Sequence, residues 1–224
     1  MIVENRTLLI ETQYAGNLHY YARMLHHGKV QIEQYEHFQK ASYRNRCYIA
    51  MPDGPLRLSV PVVKGRAKRR VVKEMKISYD WEWQRHHWNS FMSAYRSSPY
   101  FEYYEEDLLP LYEKKMDYLI DFNLQLDNFI IDAINAQDEL QIERTPHFEK
   151  SPNSNEFFDF RSAILPSTAR SKPDSQFIHP VYHQVFESKT GFVPNMSILD
   201  LLFAEGPKSL LILKNAMKTE KVES

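Results

Sequence analysis

The sequence predicts an α/β fold: a mixed sheet with an N-terminal strand-helix-strand unit, a β-hairpin and a flanking helical region. Three observations carry this. The hydrophobic period changes from extended to helical and back to alternating between Thr7 and Glu33, a turn signal separates two strand-like runs near residue 53, and the period turns helical from Trp81 onward.

Thr7 to Ile10 is a short apolar run and reads as a strand. Leu18, Tyr21 and Leu25 follow at helical spacing, Gly28 reads as a stop, and Val30 and Ile32 alternate through Lys29 to Glu33. Strand, helix, strand seeds an α/β domain, because parallel strands need a crossover helix. Arg46 to Met51 and Leu56 to Val63 flank Pro52-Asp53-Gly54-Pro55 and read as a hairpin, expected in the same sheet as the first strands. Trp88, Phe91 or Met92, and Tyr95 share a helix face, with Asp80 available as cap. Ser98-Pro99 opens the next segment, which Pro110 should kink or split into Tyr100 to Leu109 and Leu111 to Ile120. Asp121 then caps a helix reaching toward Ile134.

Residues 137–175 are polar, carry Pro146, Pro152, Pro166 and Pro173, and read as one long, mobile loop. Beyond it, Asn195 or Ser197 caps a short helix carrying Ile198, Leu201 and Leu202, and Glu205-Gly206-Pro207 ends it. Lys208 to Met217 forms a last helix. The organisation expected is one domain over residues 1–217, with residues 218–224 as a frayed tail.

Composition narrows the function classes. A chain of 224 residues is long enough to bury a core without disulfides or metal staples. The net charge of -1 builds in no long-range attraction to nucleic acid or anionic lipid. No run approaches the roughly 18 apolar residues of a membrane span, and Glu4, Asn5 and Arg6 stand where a signal peptide is apolar. A cytoplasmic protein is therefore expected. Cys47, the single cysteine, excludes an internal disulfide and a thiolate metal cage and suits a reducing compartment. With 14 Tyr, 13 Phe and 3 Trp, the chain has rings with polar handles for a core, a pocket or an interface, and a homodimer is one assembly such rings would serve.

Several separated blocks resemble one family. They are the run TQYAGNLHYYARML ending at Leu25; IEQYEHFQKASYRNRCYIA, Ile32 to Ala50; LSVPVV, Leu58 to Val63; His87-Trp88 with Tyr95 and Pro99-Tyr100-Phe101; and YHQVFESKTGFVPNMSILDLLFAEGP, Tyr182 to Pro207. Together they resemble the WbqC-like family over most of the chain except residues 137–175. Many members open with Gln-Pro and a further proline where this chain has Ala15-Gly16-Asn17. The family is linked to bacterial surface polysaccharide and O-antigen gene clusters, which implies work on activated sugars or their acyl or aminoacyl decorations.

Within those blocks, Lys40, Arg44, Asn45 and Arg46 gather three cations and an amide. Strand alternation would place Arg44 and Arg46 on one face, where two guanidinium forks can hold a phosphate or carboxylate; a solvated strand edge or ion pairs with Glu33 or Glu36 is the plainer reading. Lys64, Arg66, Lys68, Arg69, Arg70, Lys73 and Lys76 form a basic run that serves as an exposed loop or a phosphate contact; without interleaved aromatics it argues against nucleic acid. The adjacent pairs His86-His87 and His26-His27 lack the four-residue spacing of a helical zinc motif, so no metal site is expected. His87 is either a general acid or base or a core residue. Asp200 is either half of a capping box with Ser197 or a carboxylate directed into a cleft near Tyr182 and Gln184. No glycine-rich phosphate loop, nucleophile elbow or Cys-His arrangement is present, and no motif names a cofactor.

The function expected first is a group transferase of surface polysaccharide (O-antigen or capsule) assembly that binds a small anionic donor such as a nucleotide sugar. His87 and Asp200 would act on protons, and Tyr14, Lys40, Arg44, Asn45, Arg46, Tyr182 and Gln184 would line the cleft. The alternative is a non-catalytic partner in the same pathway that uses an aromatic surface.

Overall fold

The structure is a computed structural model that describes residues 6–63, 70–167 and 171–218. The chain is α/β. Strand β1, Thr7–Glu11, leads through helix α1, Leu18–His27, into β2, Lys29–Glu33, which pairs parallel to β1 with Leu8 opposite Val30 and Ile10 opposite Ile32. Leu8, Leu9 and Ile10 are all fully buried, as a central parallel strand covered on both faces requires. Asn17 caps α1 by accepting from the Tyr20 amide at 3.0 Å, and Gly28, at φ 73°, ends it with its N–H on the Met24 carbonyl.

Strands β3, Arg46–Met51, and β4 form the expected hairpin, but its turn narrows to Pro52-Asp53, so that β4 runs Gly54–Ser59 rather than Leu56 to Val63, with Met51 opposite Gly54. They make a separate two-stranded sheet and do not join the first. The reason lies in residues 137–175, which are not one continuous loop. They supply β5, Gln141–Arg144, and β6, Phe157–Asp159, both parallel, giving the order β5-β2-β1-β6. Both edges open to the hairpin are thereby occupied.

Helices α2, Trp83–Tyr95, α3, Phe101–Glu113, and α4, Leu119–Ala133, pack in succession. Asp80 does not cap α2; Glu82 holds that position and Asp80 instead accepts from the Ser78 hydroxyl at 2.7 Å. Pro110 does not split its segment. It lies near the carboxyl end of α3, where a missing N–H removes a single helical bond, and the break falls between Glu113 and Leu119. Tyr118, rather than Asp121, precedes α4 as its cap.

After the short α5, Glu187–Thr190, Ser197 caps α6, Ile198–Glu205, and α7 runs Ser209–Asn215. Ile198, Leu199, Leu201, Leu202 and Phe203 are fully buried, so α6 is the helix at the centre of the molecule, in contact with α1, α3, α4 and β3. The Ser197 amide donates to the Tyr48 carbonyl, tying α6 to the hairpin. Trp83, Tyr14, Tyr20, Tyr21, Phe91, Tyr95, Phe101 and Phe122 fill the interior between these elements. Among the described residues no helix is long and apolar enough to cross a membrane.

Gly206 ends α6 at φ 53°, where a Cβ would lie 2.6 Å from the Tyr100 ring. Gly206→Ala combines a left-handed backbone with a clash against a packed ring, so a loss of about 2 kcal/mol or more is expected in urea denaturation. A change below about 0.5 kcal/mol would show that the ring moves aside freely.

Candidate functional site

The residues singled out in the sequence gather in three places and do not share one cleft. Tyr14, just past β1, and His87, on α2, meet in the core: the Tyr14 hydroxyl lies 2.7 Å from His87 Nδ1 and 2.9 Å from the Tyr112 hydroxyl. Burial, helped by the neighbouring His86, pushes the His87 imidazole down to about 3, against a hydrogen bond to the Ser59 backbone. His87 is therefore a neutral core group at physiological pH.

Asp200, on α6, is 2% exposed and accepts from Tyr95 at 2.8 Å, Tyr182 at 2.6 Å and Gln184 at 2.7 Å. Burial raises its carboxyl above the usual range, against the pull of those three donors. Gln184 is further bound on both sides of its amide by the Val193 backbone. This group fastens residues 182–193 to α6.

Arg44 lies in a 3-10 turn, Tyr43–Asn45, ahead of β3, so it does not share a strand face with Arg46. Its guanidinium is fully buried and grips Glu36 bidentately at 2.6 and 2.7 Å. The fork expected to hold a ligand is thus closed on the protein's own carboxylate. Asn45 donates to the Val60 carbonyl at 2.8 Å, Arg46 is half-buried, and Lys40 is exposed on the preceding loop. Of the basic run, Lys64, Arg66, Lys68 and Arg69 lie outside the described residues; Lys73 and Lys76 stand over the rings of Tyr35 and Tyr118.

Next to Arg44, Glu33 at the carboxyl end of β2 accepts from Thr145, Arg161 and the backbone of Tyr35 and Glu149, while Glu11 at the end of β1 accepts from the Ser162 amide. These acids pin residues 145–162 over the sheet and fill its carboxyl edge on the β2 side. The β6 side is open. There a cavity of about 510 Å3 is bounded by Ala163–Leu165 after β6, by Tyr43, Tyr48 and Pro55 of the hairpin, and by His19 at the start of α1.

Its polar wall is built from residues far apart in sequence. His19 Nε2 lies 2.6 Å from Asp174 Oδ2, and its ring stacks on Phe177 at 4.0 Å between centroids. Arg23, one helical turn along α1, binds both Asp174 oxygens and donates to Gln176. Burial alone would raise the Asp174 carboxyl, but hydrogen bonds from His19 and Arg23 and the Arg23 charge hold it well below the usual range. The His19 amide donates to Asn195, while Lys172 and His179 also line the cavity. Sequence reading missed His19, Asp174, Lys172 and Asn195. His19 does stand two residues after the Asn17 cap, at the start of a helix that follows a strand, which is the signal that could have marked it.

The cavity occupies a recurrent position. From β1 the chain passes through α1 to β2 on one side, while β6 pairs on the other side of β1. In open α/β sheets ligands bind outside the carboxyl ends of the strands at such a switch point. Among the described residues no group of three or more His, Cys, Asp or Glu is placed to hold a metal ion.

Fold and cavity together define an α/β protein with a ligand-sized pocket at the switch point of a parallel sheet. The WbqC-like protein family matches residues 12–165 and 174–212, and the chain belongs to that family. No curated protein and no solved structure matches it.

Proposed function

We propose that the chain is a group transferase of bacterial surface polysaccharide assembly that works in the cavity beyond β1 and β6. One observation carries this reading: the hydrogen-bonded pair Asp174 and His19 stands in the wall of a cavity at the switch point. An ionised carboxylate only accepts, so His19 Nε2 carries its hydrogen toward Asp174 and, in the neutral ring, Nδ1 carries the lone pair. That nitrogen takes the proton of an acceptor hydroxyl or amine as the acceptor attacks the donor, and the donor's phosphate departs with the bonding electrons. Lys172 supplies positive charge where that phosphate develops. The donor fitting these groups is a nucleotide sugar, and the family resemblance supports the polysaccharide setting. A non-catalytic partner with an aromatic surface is less favoured: of the Phe, Tyr and Trp rings among the described residues, only Trp81, Tyr103 and Phe148 are exposed.

Calorimetric titration with a panel of nucleotide sugars, alongside an assay of slow donor hydrolysis, tests the reading. Lys172→Ala should weaken binding by about tenfold, the equivalent of one charged hydrogen bond. His19→Ala should keep binding within a few-fold and lower hydrolysis of bound donor by about 10²–10⁴. Absence of nucleotide-sugar binding, or binding and hydrolysis indifferent to both changes, would overturn it.

A further inference from the structure

The Asp174 carboxylate is shared between two side chains. Its Oδ2 accepts from His19 Nε2 at 2.6 Å and from Arg23 Nε at 2.7 Å, while Oδ1 accepts from Arg23 Nη2 and from the Gln176 amide at 3.1 Å. His19 and Arg23 stand four residues apart on α1, which sets both on one face of the helix and lets a single carboxylate meet both. Arg23 is itself held fast. It is 1% exposed, its Nη1 donates to Gln176 Oε1 at 2.8 Å, and its guanidinium lies 5.3 and 5.0 Å from the ring centroids of Phe158 and Phe160.

The consequence for His19 is one of charge. A lone carboxylate beside an imidazole draws a second proton onto the ring, because the imidazolium then faces an opposite charge. Such a ring has no lone pair left to offer a substrate. Arg23 changes this. A guanidinium is permanently charged, so Arg23 and the ionised Asp174 together carry no net charge, and His19 faces a dipole in place of an anion. The other ionisable groups near the ring do not restore the attraction. Lys172 lines the same cavity as a cation, His179 meets the edge of Phe177 at 4.9 Å while Phe177 stacks on His19, and Asp174 is the only acid among the described residues that line the cavity.

We infer that Arg23 is a positioning residue for the proposed transfer: it aims Asp174 at His19 Nε2 and cancels the carboxylate's charge, so that Nδ1 keeps its lone pair at neutral pH. The use made of that lone pair rests on the transferase reading, whereas the state of the ring is a property of the protein without any donor.

Nitrogen-15 spectra of the histidine rings read that state in the full chain, with His19→Gln identifying the His19 signals. At neutral pH the wild-type ring should be neutral and protonated at Nε2. Arg23→Gln keeps an amide donor and removes the charge, and should raise the ratio of imidazolium to imidazole at His19 by about tenfold or more. Arg23→Lys keeps the charge and loses the fork, and should hold that ratio within about threefold of wild type. In the donor-hydrolysis assay the acid limb of the Arg23→Gln profile should move to higher pH by the same factor in proton concentration, with the rate on the alkaline plateau kept within a few-fold. A wild-type ring that is already imidazolium at neutral pH, a measurement that needs no variant to fold, would overturn the inference. So would an Arg23→Gln ratio no different from wild type, or an Arg23→Lys ratio raised as far as that of Arg23→Gln. Should no nucleotide sugar bind, the transferase reading fails by itself, and the ring spectra still decide the role of Arg23.

Discussion

Asp200→Ala is expected to destabilise the protein by about 3–5 kcal/mol, lowering Tm by roughly 10 °C for a chain of this size. Three donors converge on this carboxylate, and among the described residues the hydroxyls of Tyr95 and Tyr182 donate to no other acceptor. Gln184 fares better, since it also donates to the Val193 carbonyl at 2.9 Å. Leaving a buried donor unmade costs about 1–3 kcal/mol, so two stranded tyrosines account for most of the loss. Asp200→Asn keeps one oxygen and the shape, and hydroxyl rotation can meet its amide; it should cost under half as much. Urea denaturation of the two variants with Tyr95→Phe and Tyr182→Phe tests the arrangement. Were Asp200→Ala to cost less than about 1 kcal/mol, Asp200 would not be the strut described here. Donor binding at the switch-point cavity should survive Asp200→Asn, because Asp200 does not line that cavity.

The pattern of local periods carried the first half of the fold. Gly28 and the turn signal Pro52 to Pro55 are short-range signals, and α1, β2 and β3 fall where such signals put them, while β4 begins two residues earlier than expected. Sheet membership was not legible in the same way. Gln141–Arg144 and Phe157–Asp159 are short edge strands, one of them largely exposed, without the alternation that marks a half-buried strand. Only their pairing with β2 and β1, more than a hundred residues away in sequence, makes them strands.

The same distance separates the sequence from the site. Asp174 is 155 residues from His19, in a stretch whose prolines and polar residues read as loop. Arg44 was misplaced for a local reason: the 3-10 turn before β3 breaks the alternation that would have set it beside Arg46, and Glu36 lies close enough to neutralise it. His87 was legible through the block His87-Trp88 and Asp200 through its place directly before Leu201-Leu202. Whether such a residue faces a cleft or the core depends on partners such as Tyr112 and Tyr182 that no local spacing reveals.

Between pH 4 and pH 7 the wild-type protein should show little net change in stability, because two buried groups oppose one another. Burial raises the Asp127 carboxyl from 3.8 to about 7, against a hydrogen bond from Tyr21 at 2.5 Å. Over that window the folded state holds a proton that the unfolded state has released, so this contribution is complete at low pH and is lost as pH rises through about 7. His87 runs the other way. Its folded value near 3 lies below the ordinary 6.5, so the unfolded state binds the extra proton, and stability gained above 6.5 is lost as pH falls toward 3. Each term amounts to about 3 kcal/mol between pH 4 and 7, with opposite sign. The raised carboxyls of Glu36 and Asp200 act in the direction of loss with rising pH. Asp127→Asn removes the falling term, and its stability should climb by about 3 kcal/mol from pH 4 to pH 7. His87→Gln breaks the bond to Tyr14 and is less stable throughout, yet the slope, read separately from the offset, should turn negative by a similar amount. Urea melts of the three proteins at half-unit pH steps give these slopes, and variant profiles parallel to that of wild type would show that neither group is held away from its ordinary protonation by the fold.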